Sequence, residues 1–314
     1  MLLYALQRIG LSILILITSM VMLFTALKLI PGDPATIMLG SRASAEMRQR
    51  ITEELGLNDP VLVQLGTFFG RILQGNIGTD LWSQRPVSQI VIENLPYTLL
   101  LIGVGLGWAA LIGIPLGCYS AVRRNSLVDR ITGIISVGTI SIPSFVVAIY
   151  AILLFAIGLG WLPVIGAGDV GDYRDQAMHL ILPGFALGLG WVGYLARIVR
   201  ASMLEVMGEN HIRTARAFGL SEYRIISSYA LRIAILPTIT LLAVAVGGLL
   251  SSAVFVEAIF ARPGIGKLIV DAASMRNFPV VQGGVLTTVA LFAMTMPIAD
   301  LLVAWLDPRI RATL

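Results

Sequence analysis

The stretch Glu209-Asn210-His211-Ile212-Arg213-Thr214-Ala215-Arg216-Ala217-Phe218-Gly219-Leu220-Ser221-Glu222-Tyr223-Arg224 stands between two membrane-length apolar runs, and its reading decides the fold. From Glu209 to Phe218 no proline interrupts residues that cost little in a helix, so a short helix is expected. Gly219 is placed to stop that helix in the left-handed conformation, and Ser221 to cap a second one whose first turn holds Glu222. The second helix runs on towards Ile235-Leu236-Pro237. Two short helices at a sharp angle, carrying Arg213, Arg216, Arg224 and Arg232, make a polar knob on a chain otherwise built for lipid. Arg213 and Arg216 are three residues apart and share nearly one helix face, which suits carboxylates or carbonyls offered by a soluble partner. The plainer reading is a basic loop that only fixes topology.

The rest of the composition supports a membrane setting. The chain is 57% hydrophobic and 13% charged, with a mean hydropathy of +0.87, which excludes a soluble globular protein. Apolar runs at approximately Ile9 to Ile30, Tyr97 to Val122, Ile131 to Leu159, Leu180 to Ile198, Ile235 to Phe260 and Val280 to Leu306 can each cross the bilayer. About 20 residues suffice, because about 30 Å of hydrocarbon is covered at about 1.5 Å per residue. The runs lack the two-residue alternation of barrel strands, so the fold class is all-α, a polytopic bundle of six transmembrane helices. The first run is too long, and has no suitably placed small-residue cleavage site, for a removable signal peptide. It is expected to remain as an anchor.

Orientation follows the arginines. An inside amino terminus gathers Arg8, Arg123, Arg124, Arg130, Arg197, Arg200, the hairpin arginines, Arg309 and Arg311 in the cytoplasm, and leaves Arg174, Arg262, Lys267 and Arg276 in the short outer loops. Both termini are then cytoplasmic. The net charge of +4 is accordingly a topology signal, and no nucleic-acid partner is implied, since the basic residues do not gather with aromatics into one patch. Cys118 is the single cysteine and lies within a span, which leaves no disulfide or thiolate metal site. His179 and His211 fall on opposite sides of the membrane and cannot share a metal ion; no metal site is expected.

Four parts are expected along the chain: residues 1–30 with the first span, an outer helical segment at 31–96, a five-helix core at 97–306 bearing the hairpin at 201–235, and a tail at 307–314. In the outer segment, Ser44 to Leu55 reads as one helix. Asn58-Asp59-Pro60 is a turn, and Val61 to Leu73 an amphipathic helix ended by Gly75. A lid and a passive cap are both open readings of this segment. Ser141-Ile142-Pro143-Ser144 interrupts the third span, and Ser141 and Pro143 are candidates for a gating hinge or for a simple packing kink. Gly103, Gly105, Gly107, Gly184, Gly188, Gly190, Gly247 and Gly248 allow close helix approach. Glu257 lies about 33 Å along its helix from the inner end, and Asp300 about 29 Å from the outer end of the last span, at about 1.5 Å per residue. Both fall near interfaces, away from the midplane where a coupling-ion site belongs.

Taken in order, the landmarks resemble the inner-membrane permease subunits of peptide, nickel and glutathione ABC importers, over essentially the whole chain. They include Leu29-Ile30-Pro31-Gly32-Asp33-Pro34, Leu95-Pro96-Tyr97-Thr98-Leu99, Ser141-Ile142-Pro143-Ser144-Phe145, Gly160-Trp161-Leu162-Pro163, Arg200-Ala201-Ser202-Met203-Leu204-Glu205-Val206, Pro263-Gly264-Ile265-Gly266 and Leu306-Asp307-Pro308-Arg309-Ile310-Arg311. The hairpin resembles that superfamily's coupling loop, whose glycine Gly219 matches. Arg213-Thr214-Ala215 replaces the motif's glutamate, and the proline is postponed to Pro237, as in the peptide-importer branch. Asn277 after Arg276 and Asn76 after Gly75 stand where the family favours aspartate. The resemblance implies a type I importer fold and a permease that works by alternating access in the bacterial inner membrane. It further implies a second, similar permease, two ATPase subunits holding ATP and magnesium, and a periplasmic solute-binding protein; the chain itself binds no cofactor. The implied coupling residues are Glu205, Arg213, Thr214, Ala215, Arg216, Ala217, Phe218, Gly219, Leu220 and Arg224. Glu257, Arg262, Arg276 and Asn277 are candidates for an external entrance. A peptide is the leading cargo, with nickel, glutathione or an opine-type conjugate as alternatives.

The chain is not expected to be an enzyme. A phosphate-binding loop needs Gly-Lys-Ser/Thr, yet the lysines are Lys28 and Lys267, and Lys267 precedes Leu268. An intramembrane hydrolase would need a nucleophile elbow, but Gly10-Leu11-Ser12 is followed by Leu14 where the closing glycine belongs. A channel or secondary transporter explains the spans but not the hairpin.

Overall fold

A computed structural model describes residues 2–29 and 59–306. The helix expected at Ser44 to Leu55, the Leu-Ile-Pro-Gly-Asp-Pro landmark beyond Leu29 and the 307–314 tail lie outside the described residues. The elements are α1 (Leu2–Leu29), α2 (Val61–Leu73), α3 (Val87–Val122), α4 (Leu127–Ser141), α5 (Ser144–Ala151) with a π-helical continuation π1 (Ile152–Gly158), α6 (Tyr173–Met207) and α7 (Asn210–Ala217). They continue with α8 (Glu222–Arg224), π2 (Ile225–Ala230), α9 (Leu231–Ala234), α10 (Leu236–Ile259), α11 (Ile265–Ser274) and α12 (Phe278–Leu306). Among the described residues, five helices are long and apolar enough to cross a membrane, and there are six if α4 with α5–π1 is counted as one broken span.

The bundle is organised around α3 and α6, which pack along most of their lengths. Missing side chains make that approach feasible. A Cβ on Gly113 would sit 2.8 Å from the Val192 carbonyl oxygen, and one on Gly117 2.5 Å from that of Ala196. Gly188 leaves no room either, with the Gly105 carbonyl and the Trp108 indole against it. Of the glycines expected at contacts, Gly105, Gly184, Gly188 and Gly247 are tight, while Gly103 and Gly107 face open space. The periodicity of small residues marks candidates, and the register of the neighbouring helix selects among them.

Two of the apolar clusters among the described residues matter most here. One joins α3, α5, α6 and α10 through Leu101, Val147, Leu182, Leu187, Leu249 and Val256. The other, at the hairpin end, joins the last turns of α3 and α6 to the hairpin through Ala121, Val199, Met203, Ile212 and Ile225. α1 lies against α12, where the Ser12 hydroxyl donates to the carbonyls of Arg8 and Ala293 (3.1 and 2.9 Å). That hydroxyl serves as a helix–helix contact.

The third span departs from a kinked helix. α4 stops at Ser141, Ile142 is extended (φ −92°, ψ 119°), Pro143 caps α5, and the two halves meet at 98°. The residue before a proline is driven out of the helical region, so the break falls on Ile142 itself. The two halves still connect opposite ends of the bundle. α4 begins beside Arg200 in the last turns of α6, and the loop after π1 reaches the far end, where Gly166 N–H donates to the Phe260 carbonyl (2.8 Å). Another difference concerns α3, which starts at Val87 and runs through Pro96 and Pro115 without a break. The apolar run begins only at Tyr97, so the polar first turns of this helix were hidden from a hydropathy reading.

Candidate functional site

The hairpin grows directly out of α6. Beyond Met207, the amides of Gly208 and Glu209 donate to the carbonyls of Glu205 and Val206 (both 3.0 Å), turning the chain into α7. α7 ends as expected: Gly219 is left-handed (φ +75°), its N–H donates to the Arg216 carbonyl (2.9 Å), and that of Leu220 to the Ala215 carbonyl (3.3 Å). This pair of bonds is the helix stop that a glycine in that position permits without Cβ strain. Ser221 takes the extended conformation of a cap, but its hydroxyl caps no amide. The second helix passes through π2 before reaching α9 and α10.

Burial divides the hairpin into two faces. Ile212, Ala215, Ile225, Ala230 and Ala234 pack on Val199, Met203 and Val206 of α6 and on Ala121 of α3, with half-buried Leu220 at the edge. The opposite face presents Arg213, Thr214, Ala217 and Arg224, with Glu205 exposed just before it on α6. Phe218 and Tyr223 are each 82% exposed, although most aromatics of their size find cover. A rigid knob with two bare aromatics and two arginines has the chemistry of a protein-docking surface, in which aromatic and arginine side chains supply most of the energy.

One pairing changes the expected role of an arginine. Arg216 Nε donates to Glu222 Oε1 (2.7 Å) and its Nη2 to Oε2 (3.4 Å), bracing α7 against α8. The bond from Arg216 holds the Glu222 carboxyl below its ordinary value. Arg213 and Arg216 therefore do not stand free as a pair: Arg213 is exposed on the docking face, and Arg216 is used within the hairpin.

At the far end, the four residues considered for an entrance do not line one opening. Glu257 is fully buried and accepts from Thr98 Oγ1 (2.6 Å) and from the amides of Gly266 (2.8 Å) and Lys267 (3.2 Å). It thereby caps the N-terminus of α11, where unpaired amides and the helix dipole favour an anion. Arg262 is 2% exposed, lies over Tyr97 (5.9 Å to the ring centroid), and its Nε and Nη1 have no hydrogen-bond partner among the described residues. Arg276 is exposed, in the left-handed position that ends α11 (φ +57°). Asn277 is buried, and its amide donates to Asp80. Burial pushes Asp80 up, but bonds from Ser83, Asn277 and Trp82 outweigh it and leave the carboxyl below its ordinary value. An aspartate at 277 would set two carboxylates in contact, so Asn277 suits this loop. Asn76 likewise caps the turn by accepting from Gly78 N–H (3.0 Å).

A residue that the sequence did not single out stands at the hairpin end. Asp129, 6% exposed, accepts from Ser120 Oγ (2.5 Å) and Asn125 N–H (2.9 Å), and from Arg200 Nε and Nη2 (2.5 and 2.8 Å). Its own amide is capped by Ser126 Oγ (3.2 Å). Ser126-x-x-Asp129 after a polar turn is a helix-start signature that marks this position, although its partner is 71 residues away. At the break, the Ser141 hydroxyl returns to the Val137 carbonyl (2.8 Å) and seals the end of α4.

Residues 113–312 match the family described as "Binding-protein-dependent transport system inner membrane component", and residues 1–102 match the family describing its N-terminal part. A putative peptide transport system permease of Brucella abortus is 39% identical over 312 residues, covering 98% of each chain. A glutathione transport system permease of Salmonella typhi is 37% identical over 312 residues, covering 99% of each. The inward-facing MetNI methionine ABC transporter contains a chain that superimposes with a TM-score of 0.56 at 18% identity. That match covers 70% of this chain and 97% of the other, and shares the type I importer fold.

Proposed function

We propose a function from one premise: this chain belongs to the family of binding-protein-dependent transport system inner membrane components. It is the permease subunit of an ATP-driven importer in the bacterial inner membrane, with both termini in the cytoplasm. It pairs with a second permease of the same kind, and two ATPase subunits, which hold ATP and magnesium, grip one hairpin on each. Closure of the ATPases on ATP moves the hairpins, and the spans pass between inward-open and outward-open states. A periplasmic binding protein delivers the cargo at the far end. The observation that carries this reading is the two-faced hairpin, bolted by Ile212, Ala215 and Ile225 to the core of α6 while Phe218 and Tyr223 stand bare.

The cargo is a short peptide or a peptide-like molecule. Relatives covering nearly the whole chain are named for peptide and for glutathione transport, and glutathione is itself a modified tripeptide. Nickel and opine-type conjugates remain the competing cargoes, decided by the ligand of the cognate binding protein.

Co-purification tests the coupling role. The tagged chain, expressed with its partner permease and ATPase subunits, should retain the ATPases, and Phe218→Asp should release them without lowering the amount of permease in the membrane. Undiminished retention by Phe218→Asp would remove the bare face of the hairpin from the contact.

A further inference from the structure

At the end of the bundle opposite the hairpin, the loop between α2 and α3 is closely tied by its own bonds. Thr79 and Pro86 pair as an antiparallel bridge, and the Val87 amide donates to the Gly78 carbonyl (3.0 Å). Inside the loop, Asp80 accepts from the amides of Trp82 and Ser83 (3.4 and 3.0 Å) and from the Ser83 hydroxyl, the local bonding that aspartate favours in turns. The Asp80 amide in turn donates to the Arg85 carbonyl (2.9 Å), and Gln84 is held left-handed at φ +56°. Both feet of the loop are fixed, because Ile77 and Val87 belong to one apolar cluster with Ile265 and Ala272 of α11 and Val280 of α12. Asn277, at the junction of α11 and α12, donates to the same Asp80 oxygen as the Trp82 amide. Trp82 therefore stands beside the end of α11, where Met275 and Arg276 precede Asn277.

These three side chains are bare. Trp82 is 67% exposed and Met275 61%, and Arg276 is exposed as well. Arg85 is spent on Glu93 (2.5 Å) and Lys267 on Asp271, but Arg276 makes no ion pair among the described residues. A tryptophan near a bilayer is ordinarily an anchor at the headgroup level. Length excludes that role here. α3 has 36 residues and extends about 54 Å at about 1.5 Å per residue, or about 50 Å at a tilt of about 20°. A bilayer with its headgroups is about 40–45 Å thick. With Arg123 and Arg124 at the inner headgroups, the first turns of α3 clear the outer ones, and the loop before them holds Trp82 in water. An indole in water on a fixed loop, flanked by a methionine and an unpaired arginine, has the composition of an interface centre. We propose that Trp82, Met275 and Arg276 form the surface on which the solute-binding protein docks, its apolar pocket taking the indole and its carboxylate the guanidinium. The proposal rests on the reading of this chain as a binding-protein-dependent permease, and names the place of delivery. The bonds of Asp80 and Asn277 order this surface in advance, so docking loses little to the freezing of the loop.

The test uses the complete complex of both permeases and both ATPases in lipid nanodiscs, titrated with the binding protein encoded beside this permease and loaded with the solute it carries. In the unaltered complex, ATP hydrolysis should rise to saturation. Trp82→Ala should raise the binding-protein concentration for half-maximal stimulation by about tenfold or more, the loss expected of an aromatic anchor, with full stimulation regained at saturation. Arg276→Glu should raise it too, and more at low salt than at high, because an attraction becomes a repulsion. This second variant covers the case in which Trp82→Ala fails to assemble. Benzophenone maleimide on Trp82→Cys, with Cys118→Ser as background, should crosslink to the binding protein on illumination. An unchanged half-maximal concentration in either assembled variant would overturn the proposal, as would a crosslink confined to lipid, to the second permease or to this chain itself. No stimulation in the unaltered, assembled complex would overturn the importer reading, and the docking surface with it. Normal stimulation there with unshifted variants would overturn the docking surface alone.

Discussion

The two carboxylates buried among the described residues, Asp129 at the hairpin end and Glu257 at the far end, solve the same problem in different ways. Asp129 is held by a guanidinium on another long helix, by the Ser120 hydroxyl and by the Asn125 amide, so its bonds link α4 to α6 and to the end of α3. Glu257 is held by the amides that begin α11 and by Thr98, while Arg262 beside it makes no hydrogen bond through Nε or Nη1 among the described residues. The one arrangement joins helices; the other plugs a helix end, with Gly264 and Gly266 leaving the space the carboxylate occupies. When Asp129 is removed together with Arg200, the Asn125 amide and the Ser120 hydroxyl are left behind. When Glu257 is removed, two backbone amides and the Thr98 hydroxyl remain, and no side-chain substitution can take the amides away with it.

The largest effect should therefore come from Glu257→Leu, which leaves the Gly266 and Lys267 amides unpaired and the Arg262 charge without its counter-ion. A loss of about 3–5 kcal/mol is expected from breaking a buried charge arrangement on one side only. Thermal unfolding of the purified complex measures it, and no second substitution at Arg262 should restore the amides. An unchanged Tm would make Glu257 a replaceable surface acid, contrary to its burial.

Packing should separate the two ends less than charge does. Gly117→Ala at the hairpin end meets the Ala196 carbonyl, and Gly266→Ala at the far end meets the backbone of Val254. Each should lose about 1–3 kcal/mol as overpacked contacts. Gly103→Ala, on the same helix as Gly117 but in open space, should gain about 0.5–1 kcal/mol from helix propensity. Equal tolerance of alanine at 103 and 117 would show that the α3–α6 contact is looser than its geometry.

The smallest effects belong to the exposed brace of the hairpin. Arg216→Lys should change stability by at most about 1 kcal/mol, because a solvent-exposed pair contributes little. Its pH dependence has a defined sign. The Glu222 carboxyl is lowered from an ordinary 4.5, so the brace contributes fully above that value and is lost as pH falls through the lowered one. Hydrogen exchange at the Gly219 and Leu220 amides should speed up only in that acid range. Arg213→Lys should leave exchange untouched and weaken ATPase retention, since the guanidinium of Arg213 is the one free to dock. Equal effects of the two lysine substitutions on retention would return both arginines to a single role.

Much of this architecture was legible from the chain. Hydropathy marked the spans, and the run from Glu209 to Arg224 declared both hairpin helices and the left-handed Gly219, because caps and stops are local physics. Ser221 shows the limit of that reading, since it takes the extended conformation without bonding through its hydroxyl. The use of Arg216 within the hairpin was hidden, because a sequence shows which residues share a face but not which acid reaches back to them. The Asp129–Arg200 and Glu257–α11 arrangements were hidden for a similar reason: their partners come from packing, across 71 residues in one case and from backbone amides in the other. The depth of the break at Ile142 escaped too, since a proline in an apolar run predicts a kink and its neighbours decide the angle.

The central claim is that the hairpin is the lever through which ATP hydrolysis drives this permease, and Gly219→Val tests it most directly. The change puts a β-branched side chain at φ +75°, a local strain on the order of 1–3 kcal/mol, while a Cβ there meets no neighbour. In the reconstituted complex, the variant should reach the membrane and keep its fold, yet ATP hydrolysis should no longer rise with the loaded binding protein. Stimulation at the wild-type level, with the variant shown to be assembled, would contradict the account.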